Sequence, residues 1–352
     1  MIIGVPKEIK VEEYRVGLIP SFVKDIIKDG HKVFIQENAG VGAGFSDNDY
    51  KEVGAEIVKG LEDIYKKCDL IVKVKEPQEE EIKLLSEGQT LFTFCHFSSN
   101  RNMTEKLIEK KVNCIAYELV EENGNLPILK PMSEIAGKLS IQEGMKYLEK
   151  EYCGKGILLS GVENVESGNV LIIGGGVVGY SAGIIAEGIG AKITFLEIAE
   201  NKIKILKERF KKADVLYSDR ENLISSLKKA DVIVGAALIP GKRTPVIIKE
   251  EDLDVIEKGS VIVDVAIDEG GLCETSKSTT HKNPIFIYKD IIHYCVPNIP
   301  GVVPKTSTIA LNYATFPYLK EILKGEENWF VNKPIEEGLV IYKGKLRREI
   351  LF

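Results

Sequence analysis

Short apolar runs alternate with amphipathic stretches along the chain, which is the pattern of strands alternating with helices. Residues 2–5, IIGV, predict a strand, and Ser21–Asp29 predicts a helix with Phe22, Val23, Ile26 and Ile27 on one face. A second strand is expected over Lys32–Gln36, then a glycine-rich loop over 40–45, with Ser46 placed to cap a helix opening with Asp47 and Asp49. Asp69–Val74 reads as a strand stopped by Glu76-Pro77, and Glu79–Leu85 as a short helix. Thr90–Cys95 is an apolar strand ended by His96. Helix Met103–Lys111 and strand Val112–Tyr117 complete this region, which is therefore α/β with a parallel sheet.

Ser133-Glu134 is placed to cap a long helix, from Ile135 to near Lys150, leading into a second α/β region. Strands are expected there at Val170–Ile173, Lys192–Leu196, Val215–Tyr217, Asp231–Gly235, Ser260–Val265 and His293–Val296. Helices are expected over Val177–Ile189 and near Glu221–Lys229 and Lys249–Glu257. Six strands is the size of a full dinucleotide-binding fold. Pro297–Pro304 reads as an exit hinge, and Thr306 to near Leu323 as a last long helix able to return to the first region. The tail, Glu326–Phe352, carries no clear pattern.

The most specific stretch is Asn169–Glu197, where Gly174, Gly176 and Gly179 form G-x-G-x-x-G between a strand and a helix. In a dinucleotide site the first glycine allows a tight turn. The second lets backbone approach a pyrophosphate, and the third lets helix and strand pack closely. The first helical N–H groups and the helix dipole favour phosphate there. Glu197 ends the next strand, 18 positions after Gly179 (197 − 179), where a carboxylate can bind the adenosine ribose diol. Glycine turns alone are common, but strand, glycines, helix, strand and terminal acid in one unit point to a dinucleotide. The acid favours NAD over NADP, whose 2′-phosphate would meet a like charge, although Lys202 and Lys204 lie just beyond.

Composition narrows the classes. At 352 residues the chain suits two domains, and 44% hydrophobic residues is ordinary for a soluble globular protein. Lys+Arg 47 against Asp+Glu 53 gives a net charge of −6, which lacks the basic footprint of a nucleic-acid binder. The start, MIIGVPKEIK, has no signal-peptide h-region, and no run approaches the roughly 18 apolar residues of a membrane-spanning helix. Six cysteines without a C-x-x-C pair disfavour a metal site and suit buried free thiols in a reducing cytoplasm.

Ligands of open α/β sheets lie beyond the carboxyl ends of the strands. Lys75 follows IVKV, His96 follows TLFTFC, Asp268 follows VIVDVAI, Asn298 follows HYCV, and Arg15 lies after the first strand. A guanidinium and an ammonium can hold a carboxylate, and a histidine can move protons near neutral pH. Taken singly, Arg15 and Lys75 equally suit solvated charges, His96 a structural histidine, and Asp264 and Asp268 turn-forming residues. Composition and spacing therefore end at an NAD-linked two-domain enzyme acting on a small anion.

Ten segments, in order along nearly the whole chain, carry a resemblance: GVPKEIK, EYRVGLIP, GVGAGFSD, IVKVKEP, LFTFCHFSS, LPILKPMSEIAGKLS, IIGGGVVG, AALIPGKRTP, VIVDVAIDEGGLCETSKSTTH and YCVPNIPGVVPKTST. The sequence resembles the alanine dehydrogenase branch of the alanine dehydrogenase/pyridine nucleotide transhydrogenase family. The resemblance implies two Rossmann-like α/β domains with doubly wound parallel sheets. A nucleotide domain, 132–301, would be inserted in a discontinuous substrate domain, 1–131 plus 302–352, with the active site in the cleft. It implies that Arg15 and Lys75 bind the substrate, that His96 is the catalytic acid/base, and that Asp268 is the second catalytic residue beside the nicotinamide.

Cofactor contacts implied are Ser133, the glycine turn with Val177 and Val178, Glu197, Lys202 and Ser218. Further along they are Ala237, Leu238, Val265, Ala266, Ile267, Asp268, Lys277, Val296, Asn298 and Ile299. Glu197 stands where the family commonly has Asp, Phe97-Ser98-Ser99 where it has Leu-Ala-Ala, Lys277 where it has Arg, and Pro297 where it has a small residue. The implied reaction is reversible NAD-dependent oxidative deamination of L-alanine to pyruvate and ammonium, in a cytoplasmic homohexamer. Two other readings share the fold or the cofactor: a transhydrogenase-type NAD(H)-binding subunit, and a non-catalytic NAD(H)-responsive module. The first does not need His96, Arg15 and Lys75 together.

Overall fold

The structure is a computed structural model and describes residues 1–97, 100–237 and 244–350. In chain order it begins with β1 (Ile2–Val5), α1 (Pro20–Lys28), β2 (Lys32–Gln36), α2 (Asp47–Glu52), β3 (Glu56–Val58) and α3 (Leu61–Lys67). Next come β4 (Leu70–Val72), α4 (Glu79–Leu84), β5 (Thr90–Thr93), α5 (Arg101–Glu109), β6 (Asn113–Ala116) and the long α6 (Lys130–Tyr147). They are followed by β7 (Asn169–Ile173), α7 (Val177–Gly188), β8 (Lys192–Glu197), α8 (Glu200–Arg209), β9 (Asp214–Tyr217) and α9 (Arg220–Leu227). Then β10 (Val232–Gly235), β11 (Val261–Asp264), β12 (Ile285–Tyr288) and β13 (Ile291–Tyr294) lead to α10 (Pro304–Leu323). The last elements are α11 (Glu326–Trp329), α12 (Lys333–Gly338), β14 (Leu339–Tyr342) and β15 (Lys345–Leu346). Two compact units divide the chain: Met1–Met132 with the chain from Gly301 onward, and Ser133–Pro300.

The first unit is built on a sheet of order β15-β14-β6-β5-β4-β1-β2-β3. Its strands from β3 to β6 run parallel, and β14 and β15 close one edge antiparallel. Leu70–Val72 and Thr90–Thr93 are buried at every position, as parallel strands with both faces covered must be. The order reverses between β1 and β4, so the sheet is doubly wound with its crevice at their carboxyl ends. Ser46 caps α2 as expected: its hydroxyl accepts from Asp49 N, and its own amide donates to the Asp49 carboxylate at 2.6 Å. Helix α10 docks on the segment after β1 through side chains. Asn312 Oδ1 accepts from Ile19 N at 2.8 Å, Asn312 Nδ2 donates to Val16 O at 3.3 Å, and Thr308 Oγ1 accepts from Val16 N.

The second unit has sheet order β12-β13-β11-β10-β7-β8-β9, parallel except for the β12–β13 pair. It reverses between β7 and β10, which places a second crevice at the glycine turn. Three expectations need correction. The strand expected at His293–Val296 is Ile291–Tyr294, joined to an unforeseen antiparallel β12, so the sheet has seven strands. The hairpin turns on Lys289 and Asp290, both in the left-handed region at φ 49° and 60°, without the Asn-Gly pair that marks such turns. Lys249–Glu257 is not an α-helix but a 3₁₀ segment, Glu250–Val255. Finally, Ser133 does not cap α6, which already starts at Lys130. Pro131 sits in the first turn, where its missing N–H costs nothing.

All six cysteines are free, and five are buried while Cys153 is exposed. His293 is structural: it is fully buried, shares a hydrogen bond of 2.9 Å with Thr275 Oγ1, and stacks on Phe286.

Candidate functional site

In the first unit the carboxyl ends of β1, β4, β5 and β6 carry a dense set of charged groups. Lys75 and His96 are brought together, with Lys75 Nζ 3.5 Å from His96 Nε2. A contact in which the ammonium donates requires Nε2 to be unprotonated. Arg15, 2% exposed, pairs with Glu13 through Nε–H to Oε1 at 2.7 Å and NH2 to Oε2 at 2.5 Å, and NH1 donates to Met132 Sδ at 3.1 Å. This fork leaves a charge-assisted pair inside the protein, where the guanidinium is held in one orientation.

The segment after β4 that bears Lys75 is fixed from below. Lys73 is wholly buried and donates to Glu8 at 2.9 Å and Glu81 at 3.1 Å, while Tyr65 donates to Glu81 at 3.1 Å. Glu8 also accepts from the amides of Val74 at 2.6 Å and Lys75 at 3.3 Å. Burial alone would push the Lys73 ammonium down, but the two carboxylates outweigh it and hold it protonated. Burial pushes the Glu8 carboxyl up against the pull of Lys73. Thr93 Oγ1 donates to Lys75 O at 2.8 Å and ties this segment to β5.

Two acids beside His96 were not singled out from the sequence. Glu76 is 9% exposed; burial would raise its carboxyl, but His96 in its protonated form, Lys10 and Lys75 bring it down. Glu118, just past β6, accepts from His96 N at 2.6 Å and Cys95 N at 3.1 Å. Desolvation outweighs those backbone hydrogen bonds and pushes its carboxyl up to about 7. The rule that led to Lys75 and His96, a polar residue past a strand's carboxyl end, would also have found Glu118.

In the second unit the glycine turn has the geometry of a phosphate seat. Gly174 is at φ 104°, and a Cβ there would come within 2.7 Å of Ala237 N. A Cβ on Gly179 would overlap the Gly174 carbonyl oxygen, whereas a Cβ on Gly176 would meet nothing within 4 Å. Gly176 is the residue before α7, whose first N–H groups, at Val177 and Val178, have no helical partner. Glu197, 6% exposed, ends β8 beside it. Its carboxylate accepts from Gly175 N at 2.6 Å, Ile198 N at 2.8 Å and Ala199 N at 3.0 Å, with Lys202 Nζ 3.9 Å away. Ser218 N donates to Glu197 O at 3.0 Å, which sets Ser218 at the same sheet end. Gly137 of α6 packs against the Val178 carbonyl, and Ser133, one turn earlier, shares that face of α6. The residues present therefore fit a dinucleotide.

The loop after β11 is organised by Asp264, which is wholly buried. It accepts from Leu272 N at 2.8 Å, Cys273 N at 3.3 Å, Ala266 N at 3.2 Å and Ser276 Oγ at 2.6 Å. Burial pushes its carboxyl up against these bonds, and its role is structural. The loop holds Asp268 exposed, and Asp268 Oδ2 accepts from Asn298 N at 3.2 Å, with Asn298 at φ 57°. Val265 N donates to Gly235 O at 3.0 Å; Ala266, Ile267, Val296 and Ile299 are buried, and Lys277 is exposed. Leu238 lies outside the described residues.

Two doubly wound α/β units, one with a complete glycine turn and terminal acid, define a dinucleotide-binding protein of the Rossmann class. Family models described as "Alanine dehydrogenase/PNT, N-terminal domain" and "Alanine dehydrogenase/PNT, C-terminal domain" match residues 4–136 and 140–349. The chain belongs to the alanine dehydrogenase/PNT family. It is 45% identical over 354 residues to an alanine dehydrogenase of Methanococcus maripaludis, covering 99% of this chain and 95% of that protein. A solved L-alanine dehydrogenase is similar at 42% identity with a TM-score of 0.96, covering 100% of this chain and 98% of that one. A transhydrogenase from Sinorhizobium meliloti has the same fold at 18% identity, with a TM-score of 0.85 over 98% of this chain and 100% of that chain.

Proposed function

We propose that this chain catalyses the reversible reaction of L-alanine, water and NAD to pyruvate, ammonium, NADH and a proton. The observation that carries the reading is the Lys75–His96 pair, a fixed cation 3.5 Å from a proton carrier at a sheet's reversal point. Arg15 and Lys75 would hold the substrate carboxylate and carbonyl side through their positive charge, Arg15 while its Nε and NH2 stay on Glu13. NAD, held by the glycine turn, Glu197 and Ser218 of the second unit, supplies the hydride acceptor. When Cα loses its hydride the substrate nitrogen becomes a cationic imine. His96 would take a proton from the attacking water and return one to the departing ammonia. Asp268 would offset the positive charge of the imine and orient the water. Glu197 beside the ribose position favours NAD over a 2′-phosphorylated cofactor.

Among the described residues no helix is long and apolar enough to cross a membrane. The family resemblance supports a homohexamer in the cytoplasm. The test is a panel of amino acids and 2-oxo acids followed at the NADH absorbance. Alanine should be the best oxidised substrate, and pyruvate with ammonium the best reduced, with 2-oxoglutarate hardly used. Best turnover with glutamate or lysine would overturn the substrate assignment. No turnover with any member, despite NADH binding, would overturn the enzyme reading.

A further inference from the structure

The hydrogen-bond ladder between β5 and β6 ends at the Thr93–Ala116 pair, and the chain of β5 then leaves the sheet. Phe94 N still finds a carbonyl, that of Val74. The next two amides, Cys95 and His96, donate instead to one side chain, the Glu118 carboxyl group, at 3.1 and 2.6 Å. His96 itself lies in the left-handed region at φ 49°, which a residue with a Cβ adopts only when its surroundings impose it. From that turn its ring runs nearly parallel to Phe94 (5.9 Å between centroids, 13°) and brings Nε2 to 3.5 Å from Lys75 Nζ. The backbone direction at residue 96 thus decides where the imidazole points.

We propose that Glu118 is a positioning residue for His96: its carboxyl oxygens stand in for the missing sheet partner and hold the left-handed turn that aims the imidazole. The inference rests on the reading of His96 as the group that moves protons in alanine deamination. What the turn needs from Glu118 is an acceptor at full side-chain reach, not a charge. One oxygen, Oε1, already lies within reach of both amides, 3.2 Å from Cys95 N and 2.6 Å from His96 N, so a carboxamide of the same length keeps the acceptor that the turn needs when its carbonyl oxygen takes that place. A side chain one methylene shorter loses that reach, and an isosteric hydrocarbon leaves both N–H groups unpaired. Misplacing a reacting group by about 1 Å costs on the order of 10²-fold.

The test compares Glu118→Gln, Glu118→Asp and Glu118→Leu in the full-length enzyme, with wild type and His96→Ala as references. kcat for alanine, NADH affinity and melting temperature are read on the same preparations. Glu118→Gln should stay within about 3-fold of wild-type kcat, while Glu118→Asp and Glu118→Leu should lose about 10- to 100-fold. NADH affinity should change less than about 2-fold in all three, because the glycine turn and Glu197 belong to the other unit. If the Leu variant does not fold, the Gln and Asp pair decides alone. An active Asp variant beside an inactive Gln variant would make charge the essential property and overturn the proposal. So would near-wild-type kcat in Glu118→Leu. An inactive wild type, or a His96→Ala variant as active as wild type, would instead remove the underlying reading of His96.

Discussion

Gly176 and Gly179 lie in one turn, yet an added methyl would meet opposite surroundings. At Gly176, φ is −71°, a value open to any residue, and nothing lies within 4 Å of the added Cβ. Gly176→Ala should therefore fold with an unchanged melting temperature, but fill the space proposed for the pyrophosphate. NADH affinity should fall at least about 10-fold, or about 1.4 kcal/mol. At Gly179 the methyl would overlap the Gly174 carbonyl and come within 3.0 Å of Ile172 Cγ2, so Gly179→Ala should lose about 1–3 kcal/mol of stability. Calorimetry and NADH titration on both variants separate the two effects, and undiminished NADH affinity in Gly176→Ala would take the pyrophosphate out of this turn. A second residue-scale expectation concerns pH. The Glu118 carboxyl titrates at about 7 in the folded chain against an ordinary value of 4.5, because desolvation penalises its charge. Between those two pH values the native state holds a proton that the unfolded chain has released, so this group makes stability fall as pH rises. Its contribution is fully present below about 4.5 and lost as pH passes through about 7. The melting temperature of Glu118→Gln relative to wild type should rise from pH 5 to about 7 and level off above it, and a constant difference across that range would contradict the raised carboxyl.

At the scale of elements, α10 shows how a distant part of the chain builds the region proposed for substrate. Asn312 satisfies both Ile19 N and Val16 O, and Thr308 takes Val16 N, so this helix clamps the segment that carries Arg15. Replacing Asn312 by Leu would leave buried backbone groups unpaired, at a cost of about 1–3 kcal/mol. Because the loosened segment holds Arg15, KM for pyruvate should rise several-fold while NADH affinity stays near its wild-type value. Equal losses in both would mean that Asn312 acts on the fold as a whole. Regular elements with a strong apolar run, such as Asn169–Ile173 and Val232–Gly235, were legible in the sequence because parallel strands covered on both faces are continuously hydrophobic. The three-residue β3, Glu-Ile-Val, gave too short a run to be read. The antiparallel edges were missed for a different reason. Strand β14 pairs with β6 across more than 200 positions of sequence, a partnership set by tertiary packing and not by any local pattern. The site was half legible on the same grounds. Lys75, His96 and Glu197 sit where runs end, but the Glu8–Lys73–Glu81 network joins three segments and becomes visible only when the sheet brings β1 and β4 side by side.

For the whole molecule, the two units carry separate sheets and separate apolar cores, one around Tyr65, Leu91 and Cys114 and the other around Leu171, Ile233 and Ile262. The chain passes between them twice, after Met132 and after Pro300. Every group proposed to hold the dinucleotide belongs to Ser133–Pro300, whereas Arg15, Lys75 and His96 all belong to the other unit. A ligand that binds only the folded form stabilises it by RT ln(1 + [L]/Kd), about 2.7 kcal/mol at 100 times Kd. With NADH alone that stabilisation should be anchored in the second unit, because a locally bound ligand suppresses the opening of the segments that grip it. Hydrogen exchange at saturating NADH should slow at the amides of 174–180, which lead into α7, and around Glu197 and Ser218. The amides of β1, β2 and β3 should exchange as they do without ligand. Protection confined to the first unit, or absent from 174–180, would separate the dinucleotide from the glycine turn and overturn the division of labour between the two sheets.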